Sequence, residues 1–194
     1  MLCDSVPGGF NIDVADAHRR VTERTRAIIP VHFAGEPADL DAISALASSN
    51  QLHVIDDAAH ALPASWNGKR IGSVSELTAF SFYATKTITT AEGGMLTTDN
   101  DGYARRVARM RLHGISSDAS KRYTREGLWY YEVEEAGYKV NMPDLLAALG
   151  RAQLLKVEQF RACRQHIGAR YDQEFARLDE LETPPHGKTG SEHA

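Results

Sequence analysis

Cysteine is scarce in this sequence: among 194 residues there are two, Cys3 and Cys163, far apart. Neither has a neighbour at metal-ligand or redox spacing, which argues against a disulfide scaffold and makes a reducing cytoplasm the expected compartment. Long hydrophobic runs are absent too, and no stretch has the length needed to cross a bilayer. The opening Met1-Leu2-Cys3-Asp4-Ser5 has no basic segment followed by an apolar stretch, so it does not read as a secretory leader. Charge of one sign is nowhere concentrated. Lys and Arg number 22 against 26 Asp and Glu, a formal net charge of -4, and Arg19, Arg20, Arg24 and Arg26 are interleaved with acids. A nucleic-acid surface therefore lacks electrostatic support. What is present is ordinary globular composition, 42% hydrophobic and 25% charged. At this length it predicts one compact domain rather than disorder.

Val6-Pro7-Gly8-Gly9-Phe10 reads as a strand end running into a turn. Residues 13 to 24 suggest a short surface helix. Ala27-Ile28-Ile29-Pro30-Val31-His32-Phe33 has the β-branched, apolar character of a buried strand, with Pro30 as an objection. Leu40, Ile43 and Leu46 then recur at helical spacing. Three more strands are expected at Leu52 to Asp57, Leu77 to Phe82 and Gly94 to Thr98. A helix marked by Tyr103, Val107 and Met110 carries Arg105, Arg106, Arg109 and Arg111 on its other face. Residues 115 to 137 read as a long irregular excursion. Asn141-Met142-Pro143-Asp144 is a helix start with proline in the first turn. Leu145, Leu146, Leu149 and Leu155 give that helix an apolar face, and Phe160, Ile167, Tyr171, Phe175 and Leu178 mark a second helix. The Pro- and Gly-bearing tail after Thr183 reads as disordered. Alternating strands and helices predict an α/β layered domain with a largely parallel sheet.

In such sheets ligands sit beyond the C-terminal ends of the strands. Two segments fall there: Asp56-Asp57-Ala58-Ala59-His60, and Ser81-Phe82-Tyr83-Ala84-Thr85-Lys86 leading to Glu92-Gly93-Gly94. A pyridoxal-phosphate enzyme needs an amine to bond the aldehyde, a carboxylate to keep the pyridine nitrogen protonated, and hydroxyls and amides for the phosphate. Asp57, Lys86 and Ser81 supply those types, and small residues around Lys86 leave room for a planar group. Spacing alone does not prove this, because most lysines are simply solvated.

The segments Val54-Ile55-Asp56-Asp57-Ala58-Ala59-His60-Ala61 and Ser81 through Met95 resemble signature segments of the DegT/DnrJ/StrS family. Ile29-Pro30-Val31-His32-Phe33-Ala34-Gly35, Arg111-Leu112-His113-Gly114 and Gly137-Tyr138-Lys139-Val140-Asn141-Met142 match as well, in the family's order. The resemblance implies a fold type I, aspartate-aminotransferase-like α/β large domain, incomplete, with the start of a small C-terminal domain. Residues 1-140 would belong to the large domain, 141-183 to helices leading into the small one, and 184-194 to the tail. It implies that Lys86 forms the Schiff base with pyridoxal 5'-phosphate and then shuttles the proton, that Asp57 partners the pyridine nitrogen, and that His60 lies beside the ring. Ser81 would contact the phosphate. Asn141 would reach the phosphate of a neighbouring subunit's cofactor, which implies a homodimer with shared active sites. The implied reaction passes an amino group from glutamate to a nucleotide-linked keto sugar, with C4 favoured, in polysaccharide biosynthesis. A dehydratase branch uses the same cofactor but lacks the lysine, so Lys86 argues against it. The family's upstream phosphate-binding segment and most of its small domain fall outside this sequence, which implies a fragment and keeps open a non-catalytic remnant.

Plainer readings stand beside these. Asp56, Asp57 and His60 are metal-ligating types, but one cluster without a second ligand group falls short of a metal site. Asp56 suits a cap for the following turn. His32 suits the core or a backbone bond, and His113-Gly114 a helix terminus. The arginines from 105 to 111 suit a solvated face or an attraction for substrate phosphate. Trp129, Tyr130 and Tyr131 suit core or interface packing, or a sugar pocket.

Overall fold

The short apolar runs pair as a sheet. The computed structural model describes residues 1–115, 131–184 and 190–194. Its main sheet has four strands: β1 (Ala27–Ile28), β2 (His53–Asp57), β5 (Leu77–Ser81) and β6 (Gly94–Thr97), in that order. β1 runs parallel to β2, and β2 to β5, with Asp57 opposite Ala79. β6 is antiparallel to β5. The largely parallel expectation holds, with one antiparallel strand at the edge. Pro30 accounts for the brevity of β1. It has no N–H to donate, the ladder stops at Ile28, and pairing resumes only as a bridge between Val31 and Asp57.

Helix α1 (Val14–Arg20) is capped by the Asp13 carboxylate and packs beside α2 (Leu40–Asn50). In α2 the periodic Leu40, Ile43, Leu46 and Ala47 are buried, with Ile28, Ala58 and Ala61 in the same core. Asp39 accepts from Ala42 N–H at the start of α2, and Gln51 closes it in the left-handed region at φ 54. This core fixes the ends of β1 and β2.

Beyond the expected strands, β3 (Ser65–Trp66) forms a hairpin with β4 (Lys69–Arg70). Its turn is Asn67-Gly68, both at positive φ (49 and 75), which is the strongest short hairpin signal there is. The free edge of β3 takes β7 (Ser191–Glu192). Ser65 Oγ donates to Glu192 Oε2 at 2.6 Å, and Arg161 donates to the same oxygen at 3.0 Å. Residues 190–194 are therefore paired rather than disordered, because an open strand edge offers unmet N–H and C=O groups. Residues 185–189 of that tail lie outside the described residues.

Helix α3 (Asp101–Met110) is capped by Asn100. Helix α4 (Asp144–Leu154) starts within the expected 141–144 segment, with Pro143 as its N-cap residue rather than in its first turn and giving no side-chain bond. Helix α5 (Val157–Phe175) follows. Val157 and Phe160 pack against Phe82 and Ile88. The predicted apolar face is largely uncovered: Leu145 is 80% exposed, Leu155 89% and Ile167 53%. Among the described residues no helix is long and apolar enough to cross a membrane. Trp129, Tyr130 and most of the expected excursion lie outside the described residues.

Candidate active site

Asp57 ends β2 and is held there by three backbone bonds. Its N–H donates to Pro30 O at 2.9 Å, its carbonyl accepts from His32 N–H at 3.0 Å, and Ala58 N–H donates to Ala79 O at 2.8 Å. The half-buried side chain accepts from Ala59 N–H through Oδ1 at 3.0 Å, leaving Oδ2 without a hydrogen bond among the described residues. Asp57 therefore caps the turn, not Asp56 as the sequence suggested. Adjacent strand residues face opposite ways, and Asp56 points into the interior, fully buried. His60 follows on that turn. Its Nδ1 accepts from Ala34 N–H at 3.3 Å, and the edge of its ring meets Phe33 at 5.9 Å. Phe33 in turn packs on Phe10 at 5.3 Å. Neither aromatic was singled out from sequence, where each stood alone in its segment.

Ser81 ends β5, the neighbouring strand. Beyond it the chain folds back on itself: Phe82 N–H donates to Gly93 O at 2.8 Å, Thr90 N–H to Phe82 O at 2.9 Å and Lys86 N–H to Tyr83 O at 3.0 Å. Ser81 Oγ accepts from Tyr83 N–H at 3.3 Å. Buried Ile88 anchors the loop inward. Lys86 is half-buried, and its amine makes no ion pair among the described residues. A side chain at Gly93 would meet Thr90 Oγ1 at 2.5 Å and Met142 Cε at 2.6 Å, so the loop closes only around glycine.

The loop is also held from outside. Thr89 N–H donates to Gln153 Oε1 of α4 at 3.0 Å, and Arg164 of α5 donates to Thr87 O at 3.3 Å. No local pattern in the sequence marks these two residues. Asn141 is half-buried on the segment entering α4, next to Met142, which packs on Phe82 and Ile88. Within the chain its Oδ1 accepts from Lys139 Nζ. The structure thus brings Asp57, Ser81 and the Lys86 loop to one end of two adjacent parallel strands, and sets His60 against the 33–35 turn.

The remaining candidates take plainer roles. His32 is fully buried and accepts from Ala38 N–H at 3.0 Å. His113, at φ 60, is an exposed residue past the end of α3, with its N–H donating to Tyr138 O at 2.7 Å. Arg109 pairs with Glu134 and Glu135, and these acids hold its guanidinium above the ordinary range. Arg106 pairs with Glu135 as well. Among the described residues no group of three metal-ligating side chains converges. A concavity of about 830 Å3 lies along the outer edge of β1 between Arg20, Ile28, Leu46 and Leu52, and Asp57, Ser81 and Lys86 are not among its lining residues.

The sheet, with a lysine loop beyond it, defines the fold type I class of aminotransferases. A Streptococcus pneumoniae protein provisionally named a sugar aminotransferase superposes with a TM-score of 0.90 in its pyridoxamine-phosphate form, at 29% identity over 100% of this chain and 53% of that one. The chain belongs to the DegT/DnrJ/EryC1/StrS aminotransferase family, whose model matches residues 1–194. It is 48% identical over 175 residues to the spore coat polysaccharide biosynthesis protein SpsC of Bacillus subtilis, covering 90% of this chain and 45% of the relative. It is 41% identical over 187 residues to the GDP-perosamine synthase of Caulobacter vibrioides, covering 96% and 47%. The chain therefore spans about half the length of the curated relatives it matches. The family's cofactor is pyridoxal 5'-phosphate. The residues present suit it: among the described residues Lys86 has an amine without an ion pair and Asp57 a carboxylate with one oxygen tied and one open, and Ser81 adds a hydroxyl.

Proposed function

We propose that this chain is part of a pyridoxal-phosphate-dependent aminotransferase that passes an amino group from glutamate to C4 of a nucleotide-linked keto sugar. The observation that carries the reading is the placement of Asp57 and the Ser81-to-Lys86 segment at the C-terminal ends of the paired strands β2 and β5. Family membership and the names of the relatives support the class of substrate.

Pyridoxal phosphate, when bound, supplies an aldehyde that bonds amines and a ring that withdraws electrons. Lys86 would bond it and, once displaced by the amino donor, move a proton to and from the donor's α-carbon. The Asp57 carboxylate would hold a proton on the ring nitrogen, since a negative charge beside a base favours its protonated form. The Ala59 N–H bond keeps that carboxylate oriented. Ser81 Oγ would donate to a phosphate oxygen, and His60 would line the ring.

The reading includes a homodimer with shared sites. Asn141 would exchange its bond with Lys139 for the phosphate of the partner subunit's cofactor, and the uncovered Leu145 and Leu155 would be buried between subunits. The test is a visible spectrum of the chain titrated with pyridoxal phosphate, then with glutamate. An absorbance band that appears with cofactor and shifts with glutamate supports the reading. A spectrum equal to free cofactor at every step refutes it for this chain.

A further inference from the structure

The interior face of β2 holds a polar pair that the proposed chemistry does not use. His32 and Asp56 are fully buried, as is Thr78 beside them. Ala38 N–H donates to His32 Nδ1 at 3.0 Å. That bond leaves Nε2 as the N–H of the ring, and Nε2 stands 3.4 Å from Asp56 Oδ2. Thr78 Oγ1 donates to the same oxygen at 3.5 Å. His32 Nε2 and Asp56 Oδ1 make no hydrogen bond of good geometry. Buried polar atoms left this way cost stability, and an apolar residue of similar volume would fill the space at less cost. Packing alone therefore gives no reason for the pair.

The backbone around it does. His32 N–H donates to Asp57 O at 3.0 Å, and Asp57 N–H donates to Pro30 O at 2.9 Å. The turn that follows carries Ala34, whose N–H donates to His60 Nδ1 at 3.3 Å. One imidazole is thus seated between Ala38, at the far end of the turn, and Asp56, in the strand that bears Asp57. We propose that His32 is a positioning residue: seated between Ala38 and Asp56, its ring sets the 32–38 turn against the end of β2 and so fixes Asp57 and His60. The proposal rests on the reading above that these two residues face the cofactor. His32 itself touches neither cofactor nor substrate. It acts through the main chain of Asp57 and the amide of Ala34.

The test compares His32→Leu, which removes both polar contacts, with His32→Asn, which keeps an acceptor near the Nδ1 position for Ala38. Both are measured in the whole chain by amide hydrogen exchange and by titration with pyridoxal phosphate. In the Leu variant, exchange at residues 32, 38 and 57 rises about tenfold or more, as loss of a buried hydrogen bond implies. Exchange at Met95 and Leu96 of β6 stays unchanged. Cofactor affinity falls by about tenfold, and the Asn variant recovers most of both losses. A uniform rise across the sheet with Asn no better than Leu overturns the proposal, as does unchanged exchange at residue 57 or unchanged affinity in the Leu variant. Should the Leu variant not fold, Asp56→Asn replaces it, with the same expected pattern at residue 57. Should the unmutated chain bind no pyridoxal phosphate, the cofactor reading falls, and the exchange data still decide the role of His32.

Discussion

Asp57 stands directly opposite Ala79 in the parallel β2–β5 pair, two residues before Ser81 ends its strand. A carboxylate and a hydroxyl-bearing strand end are thereby brought together by backbone register, before any side-chain contact is considered. The lysine loop begins one residue further on.

Lys86 is expected to be the residue that bonds the cofactor. Borohydride reduction of the cofactor-treated chain, followed by peptide mapping, should place the label on Lys86. A label on Lys69 or Lys139 instead would overturn the assignment.

Asp57→Asn keeps an acceptor for Ala59 N–H, so the turn should survive. The neutral amide no longer favours a protonated ring nitrogen. Turnover with glutamate is expected to fall by about a hundredfold, the scale of losing one electrostatic stabiliser, while the reductive label at Lys86 persists. Near-normal turnover would move this role to another group.

Ile43 is fully buried in the core that seats β1 and β2. Ile43→Ala is expected to lower unfolding stability by about 3 kcal/mol, since removal of a buried Ile leaves a cavity as well as losing transfer energy. Urea unfolding measures the difference. A loss within about 0.5 kcal/mol, the range of surface changes, would mean that α2 does not pack as described.

Asp16 accepts from Arg20, from Asp4 N–H and from Arg19, and its carboxyl is held down from 3.8 to about 2, chiefly by Arg20. A group with a depressed folded pKa contributes stability above its unfolded pKa, and that contribution is lost as pH falls through the folded one. The Asp16 share is therefore complete above pH about 4 and disappears toward pH about 2. Asp16→Asn should be less stable than the unmutated chain at pH 7, with the gap closing over that acid window. A gap that stays constant with pH would contradict the assignment.

Sedimentation tests the shared-site reading. With Leu145, Leu155 and Ile167 uncovered in a single copy, self-association at micromolar concentration is expected, because exposed apolar patches of this kind seek cover. A monomer that binds cofactor and retains full activity would rule out sharing.

Much of this architecture was legible in the chain. The four main strands were visible because each lies in a short, largely apolar run, and α2 because Leu40, Ile43 and Leu46 keep helical spacing. The carboxylate cluster was visible, but not which member does what: Asp56 and Asp57 are chemically identical, and only strand alternation sends one inward and the other to the turn. The β3–β4 hairpin had its signal in Asn67-Gly68, but two-residue strands carry no periodicity to notice. The aromatic contacts of His60, and the bond from Thr89 to Gln153, join segments distant in sequence and had no local mark at all.

The last of these has a consequence for how the molecule comes into being. Thr89 and Gln153 are 64 residues apart, and the bond between them braces the loop that presents Lys86. A chain emerging from the ribosome forms its strands and α2 from neighbouring segments, yet the brace cannot close until α4 has been made. Contacts of long sequence separation form late because the intervening chain must first be ordered. Lys86 should thus reach its final place only after α4 has been made. A nascent chain stalled just before Gln153 would carry Lys86 on an unbraced loop, open to passing aldehydes and to proteases.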